Sequence, residues 1–305
     1  MALFNIDNKE KLEQIKELPF KLEKEIQNLT EQNLATILGL DFVRSEFSLN
    51  NFRLDTLAFD QDASSFVIIE YKRDKNFSVI DQGYAYLSLM LNNKADFILE
   101  YNENHKNTLK RDDIDWSQSR VIFISPSFTS YQKEAINFKD LPIELWEVKR
   151  YSNKTISYNK IQTSGAQESV KTISRQDATI EKVTREIKVF TEQEHLDKAT
   201  EEIKELYEQL KHSILNLDGL EIKPKKLYVS FVASTNVIDI NIQRNQLKIW
   251  LNLSKGELDD PKGICRDVST TGHWGNGDYE IAMRTDEDLE YIMSLIKQSL
   301  KKNKK

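Results

Sequence analysis

The chain has 305 residues, 39% of them hydrophobic and 30% charged, with a formal net charge of −6 at pH 7. That balance fits a folded chain long enough for two hydrophobic cores and excludes a disordered polymer. The acidic total weighs against a surface that coats nucleic acid throughout, but it leaves room for an acidic metal site beside a local basic groove.

Cys265 is the single cysteine, so no intrachain disulfide can form, which fits a reducing compartment. The N-terminal run Met1-Ala2-Leu3-Phe4-Asn5-Ile6-Asp7 lacks the basic region and apolar core of a signal peptide. Plainly apolar runs are as short as Phe66-Val67-Ile68-Ile69, against the roughly 20 residues needed to span a bilayer. A transmembrane transporter is excluded, and a cytoplasmic location is expected.

Residues 9–38 read as helical, because Leu12, Ile15, Leu18, Leu22, Ile26, Leu29, Leu34 and Ile37 recur at steps of three or four. Pro19 divides this stretch and Gly39 caps its end. Strands are expected over 42–47, 52–59 and 65–72, separated by turn-rich Asn50-Asn51 and residues 60–64. The third is apolar for four residues and then ends Glu70-Tyr71-Lys72, as in a central strand whose C-terminal end emerges at a site. A helix over 77–91, a strand over 96–101, a strand over 121–125, a helix over 129–138 and strands over 143–149 and 155–161 follow. Residues 1–162 thus form a first domain, one mixed sheet with helices on its faces. Polar residues 163–188 read as a linker. Residues 189–305 read as a smaller α+β domain: a helix over 192–215, strands over 226–233, 237–242 and 246–253, a Gly/Asp-rich stretch over 256–278 and a last helix over 285–301.

Phosphodiester hydrolysis needs an activated water and neutralisation of phosphate charge, which carboxylate-held divalent ions supply. Mg²⁺ takes hard oxygen ligands and keeps several waters, so few protein ligands are required. Two carboxylates and a lysine that converge are a minimal set. Glu70 and Lys72 share one face of a strand, and Asp55 lies on the strand before it. Glu-x-Lys alone is weak, since it also begins at Glu147, Glu186, Glu202 and Glu221. Only Glu70 combines a strand, an aspartate-bearing partner strand and a following helix.

Residues from Leu22 to about Leu91 resemble the PD-(D/E)XK nuclease superfamily, and within it the NucS-type endonucleases. The likeness rests on Glu31-Gln32-Asn33-Leu34, Gly39-Leu40, Arg53-x-Asp55, Ile69-Glu70-Tyr71-Lys72-Arg73 and Gln82-Gly83-Tyr84-Ala85-Tyr86. The resemblance implies a restriction-endonuclease-like fold and a metal-dependent DNA endonuclease acting in repair or defence. It implies Mg²⁺ or Mn²⁺ held by Glu31, Asp55, Glu70 and the Ile69 carbonyl, with Lys72 serving the nucleophile and Gln82 and Tyr86 lining the site. Arg53 and Arg73 would face DNA phosphates, and a homodimer would cut both strands. Leu54 stands where the superfamily often has proline, and the core comes first in this chain, whereas NucS proteins carry a domain ahead of it.

Residues from about 190 to 301 resemble an uncharacterised C-terminal domain that follows such nucleases, in proteins labelled "predicted transport protein". The likeness is carried by Asp267–Glu280, with Gly272-His273-Trp274-Gly275 at its centre. This loop could stack on a base or bind a small ligand. The simpler expectation, adopted at this point, is a tight glycine turn with Trp274 packed on the core. Besides an endonuclease, two readings stand: a nuclease fold that binds nucleic acid or a partner without cutting, and a small-ligand sensor built on His273 and Trp274.

Overall fold

The computed structural model describes residues 2–6, 8, 10–73, 78–138, 140–162 and 178–304. The chain divides into two compact units, Met1–Val189 and Phe190–Lys305. The first carries a mixed sheet flanked by helices and the second an antiparallel sheet with its own helices, which is the expected fold class.

Strands β1 (Leu3–Ile6) and β2 (Leu12–Ile15) form a separate two-stranded pair, and β3 (Glu17–Leu18) joins the edge strand region of the main sheet at Arg150 and Tyr151. Residues 12–18 are therefore extended, not helical. Their apolar spacing misleads because Leu12 and Leu18 stay exposed, at 64% and 41%, and form no buried helix face. The helix begins after Pro19, as α1 (Glu23–Gln32) and α2 (Leu34–Leu38), and ends on Gly39 in the left-handed region (φ 66°).

Strands β4 (Asp41–Leu49), β5 (Phe52–Asp60) and β6 (Ser65–Tyr71) form an antiparallel meander. The chain then crosses through α3 (Val79–Asn92) and α4 (Lys94–Asn104) to β7 (Arg120–Ser125), parallel to β6. A short helix α5 (Ser130–Ala135) leads to β8 (Ile143–Tyr151), parallel to β7, and β9 (Ile156–Lys160) turns back on β8. The expected strand over 96–101 is α4 instead: Phe97 and Tyr101, four apart, share one buried helical face.

β6 is buried at every position, because both sheet faces are covered. On one face Ile26 and Leu34 pack with Ala58, Val67, Ile69 and Tyr71. On the other Leu87 and Met90 pack with Leu57, Phe66, Ile68 and Phe123. Residues 163–177 of the expected linker lie outside the described residues, but 178–188 is not linker. There α6 (Ala178–Glu186) sends Val183 into the first core, Ile187 just after it is buried in the same core, and Lys188 N–H donates to the Ser117 carbonyl at 2.8 Å.

In the second unit α7 (Glu192–Leu196) and α8 (Glu201–Leu215) precede β10 (Glu221–Pro224), β11 (Val229–Val232), β12 (Asn236–Ile242) and β13 (Leu247–Leu251). β14 (Arg266–Asp267), β15 (Tyr279–Met283) and α9 (Leu289–Asn303) complete it, with strand order β10-β11-β12-β13-β15-β14. Leu210, Ile214, Leu295 and Ile296 cover Phe231, Ile238, Ile240 and Ile249 on one face. Ser230, Asp239, Trp250 and Glu280 are opposed across neighbouring strands, and the glycine-rich loop lies on Asp239 and Trp250.

That loop corrects one expectation. Trp250 is the tryptophan on the core, at 2% exposure, whereas Trp274 is 57% exposed. Gly275 fits against the Trp250 ring so closely that a Cβ would stand 2.5 Å from it. Gly277 has φ +87°, and a Cβ there would meet the Leu251 carbonyl oxygen at 1.9 Å. Gly277→Ala therefore combines left-handed strain with a backbone clash and is expected to cost about 3 kcal/mol. Urea unfolding followed by tryptophan fluorescence reads this as a lower midpoint for the C-terminal unit. An unchanged midpoint would mean that the loop shifts freely off the sheet.

Candidate active site

The register of β5 and β6 runs from Asp60↔Ser65 to Thr56↔Ile69 and stops there. The following donor, Tyr71 N–H, goes to the Asp55 carboxylate (Oδ2, 3.0 Å) rather than into the ladder. The Lys72 N–H goes to the Ile124 carbonyl of β7 at 2.9 Å. β6 thus stays zipped to β7 while it parts from β5, and the parting lies at Asp55 and Glu70. Ile69, fully buried, is the last β6 residue in register with β5.

Glu70 is nearly enclosed, its side chain 5% exposed. Oε1 accepts from Lys72 Nζ at 2.7 Å and from Gln82 Nε2 at 2.9 Å. Oε2 is buried and has no hydrogen-bond partner among the described residues. The Gln82 amide also donates to the Tyr86 hydroxyl at 2.8 Å, so one turn of α3 holds both side chains at the acid. Burial and the nearby Glu70 hold the Tyr86 hydroxyl well above its usual range, so it remains protonated. Its ring meets Phe52 edge-on, with centroids 6.5 Å apart.

Burial, and next the Glu70 charge, push the Asp55 carboxyl up to about 6, while the Tyr71 N–H and the Lys72 charge pull the other way. Two carboxyl groups thus lie beside one amine in partly dry surroundings.

Glu31 joins a different set of partners. Its Oε1 accepts from Thr56 Oγ1 at 2.6 Å and from Gln27 Nε2 at 3.0 Å, and Thr56 alternates with Asp55 along β5. Among the described residues no three His, Cys, Asp or Glu side chains gather as a metal-holding group. The structure thus brings Asp55, Glu70, Lys72, Gln82 and Tyr86 together, and it does not place Glu31 with Asp55 and Glu70 in a three-carboxylate cage. Arg53, 68% exposed, pairs with Glu46 at 2.9 Å. Arg73 donates from its backbone to Glu23 and from Nη1 to the Lys21 carbonyl.

Sequence reasoning missed Gln27 and Glu46. Gln27 is buried on α1, and its Nε2 lies within hydrogen-bond distance of Glu31 Oε1, Ser45 Oγ (3.2 Å) and the Asp55 carbonyl (2.8 Å). Its spacing of four from Glu31 was the available signal. Glu46, opposite Asp55 between two β4–β5 pairs, has a left-handed φ of 53°. Lys24 and Arg53 lower its pKa and hold it. The rival Glu147-x-Lys149 is engaged otherwise, Glu147 with Lys133 and Lys149 with Glu17.

Folding raises the Asp55 pKa above its ordinary 3.8, so the folded protein binds this proton more tightly than the unfolded chain. The favourable contribution is complete below about pH 4 and is lost as pH rises through about 6. Asp55→Asn is therefore expected to stabilise the protein by roughly 1–3 kcal/mol at pH 7.5 with chelator present, and hardly at pH 4. Urea titrations at the two pH values check this. A variant less stable than the parent at pH 7.5 contradicts burial as the cause.

A family model described as a domain of unknown function (DUF5655) matches residues 192–303. Along nearly its whole length the chain is 55% identical over 302 residues to an uncharacterised protein of Haemophilus influenzae, covering 99% of this chain and 100% of that one. Among solved structures it is similar to an EndoMS–double-stranded DNA complex: 20% identity, 43% of this chain, 47% of that chain, TM-score 0.27. A repair endonuclease from Pyrococcus abyssi gives 21% identity, 40% of this chain, 45% of that chain and TM-score 0.23. EndoMS in its apo form gives 16% identity, 44% of this chain, 59% of that chain and TM-score 0.25. The chain spans roughly half the length of these three structures. Among the described residues no helix is long and apolar enough to cross a membrane. By the near-complete match, the chain belongs to the same family as the uncharacterised Haemophilus influenzae protein.

Proposed function

We propose that the N-terminal unit is a Mg²⁺- or Mn²⁺-dependent phosphodiesterase that cuts DNA, as the sequence resemblance implies. The observation that carries the reading is Glu70 Oε2, a buried carboxylate oxygen without a hydrogen-bond partner among the described residues, beside a second carboxylate on a strand that has parted from its neighbour. A buried acceptor left unsatisfied is costly, and a cation relieves that cost. The donor set fits a hard ion: two carboxylates are enough for Mg²⁺, which keeps most of its waters.

Asp55 and Glu70 would hold the ion, and the Ile69 carbonyl is a further candidate ligand. Bound there, the ion would offset phosphate charge and acidify a water. Lys72, on the other oxygen of Glu70, would orient the attacking water or meet the charge on the phosphate. Gln82 keeps Glu70 in one rotamer and donates to the Tyr86 hydroxyl, whose own proton stays free for the site. Glu31 and Gln27 act as positioning residues, fixing β5 through Thr56 and the Asp55 carbonyl. Arg53 and Arg73 are the candidate phosphate contacts, and a homodimer would present the two sites needed to cut both strands.

With Mg²⁺ or Mn²⁺ and a panel of plasmid, mismatched and branched DNA, Asp55→Ala, Glu70→Gln and Lys72→Ala are each expected to slow cleavage by roughly 10²–10⁴-fold. Glu70→Gln should also weaken Mn²⁺ binding measured by calorimetry. Tyr131→Ala, at an 87% exposed position, serves as the unaffected control. Cleavage that persists in all three site variants would sink the assignment. Glu31→Gln tests the positioning role: a loss of activity while Mn²⁺ affinity changes little is expected, and a parallel loss of both would make Glu31 a ligand.

A further inference from the structure

The C-terminal unit has a cleft of about 310 Å³ whose lining includes Lys198, Lys226, Arg244, His195, Asn241 and Trp274. Among the described residues no acidic side chain lines it, in a chain whose acidic side chains outnumber the basic ones 49 to 43. Lys198 and Arg244 are exposed and make no ion pair among the described residues. Two cations of this kind at one cleft select an anion.

The cleft also has a flat apolar wall. Trp274 is 57% exposed, yet its loop is tightly founded. Asn276 donates to the buried Asp239 from its backbone (2.7 Å) and its side chain (2.9 Å). Ser230 and Asn236 donate to the other Asp239 oxygen, at 2.7 and 2.8 Å. Gly275 and Gly277 seat the loop on Trp250 and Leu251. An exposed indole on a fixed support is a preorganised stacking surface.

The inner wall offers acceptors. Asn241, 8% exposed, spends its amide N–H on the Leu227 carbonyl, and its Oδ1 has no donor among the described residues. His195 is buried, and its Nε2 lies 2.7 Å from the Lys225 carbonyl, so that nitrogen carries the proton and Nδ1 is an acceptor. Burial lowers its pKa, which keeps the ring neutral.

We infer that this cleft binds one nucleotide, with its base stacked on Trp274 and its phosphate held by Lys198 and Arg244. An aromatic plane, cations and acceptors for an exocyclic amine are the three features that recognise a nucleotide outside a duplex. The volume lies at the lower end for ligand sites, which suits a single nucleotide and not a base pair with its backbones. The nucleotide could be free or one unpaired member of a strand. The inference stands on the C-terminal unit alone and does not depend on cleavage at Glu70.

The test titrates the full chain with AMP, adenosine and a ten-residue deoxyadenylate strand, followed by calorimetry and tryptophan fluorescence. Saturable AMP binding identifies the free nucleotide, whereas strand binding without AMP binding identifies an unpaired nucleotide in DNA. In either case Trp274→Ala is expected to weaken binding about tenfold or more, and Trp274→Phe to retain most of it. Lys198→Glu with Arg244→Glu should weaken it at least as much, and added salt should reproduce the effect. The altered side chains are all exposed, so circular dichroism and unfolding midpoints should match the parent. No binding of AMP or strand overturns the proposal. So does adenosine binding as tightly as AMP, or binding left intact by Trp274→Ala and by the charge reversals.

Discussion

When Asp55 Oδ2 takes the Tyr71 N–H at 3.0 Å, a side chain fills a place that a continued ladder would give to a β5 carbonyl. The hydrogen bond satisfies a buried donor, so β6 can leave β5 without an orphaned amide. The separation costs little on the other side, where Lys72 N–H remains bonded to β7. The gap between the strands exists because one aspartate closes the hydrogen-bond account of the backbone it interrupts.

Around that gap the site is a balance of unlike demands. Apolar packing on both faces fixes β6 and delivers Glu70 at its end, but the same packing dries the carboxylate. Lys72 and Gln82 satisfy one oxygen and leave the other bare. Half-buried Asp55 sits nearby with its proton held more firmly than usual. Such a site is costly in isolation, which is the burden that the proposed cation would relieve.

The sequence made some of this readable and concealed the rest for identifiable reasons. The run Phe66–Lys72 announces a central strand with a polar end, because four successive apolar residues need cover on both faces. Gln82 and Tyr86 were readable through the resemblance, and a spacing of four on a helix lets the two share a face. Leu12, Ile15 and Leu18 misled, since a periodic pattern does not reveal whether its apolar positions are ever covered. Residues 94–104 misled in the opposite direction: a short apolar run is ambiguous between strand and helix, and the burial of Phe97 with Tyr101 decides it. Helix α6 was hidden by its polar composition, as Val183 and the partly buried Ile180 supply its packing and Ile187 follows just beyond its end. The resemblance gave Glu31 as a metal ligand, whereas its bond to Thr56 depends on which side of β5 faces α1, a tertiary fact.

The glycine-rich loop of the second unit separates two properties that often coincide. Asp239, Asn276, Gly275 and Gly277 determine where the tip stands, and none of them supplies the indole it displays. A different aromatic side chain at position 274 would be delivered to the same point in space. Ligand choice there is therefore open to exchange at a single surface position, whereas a change as small as one methyl group at Gly277 would move the whole platform.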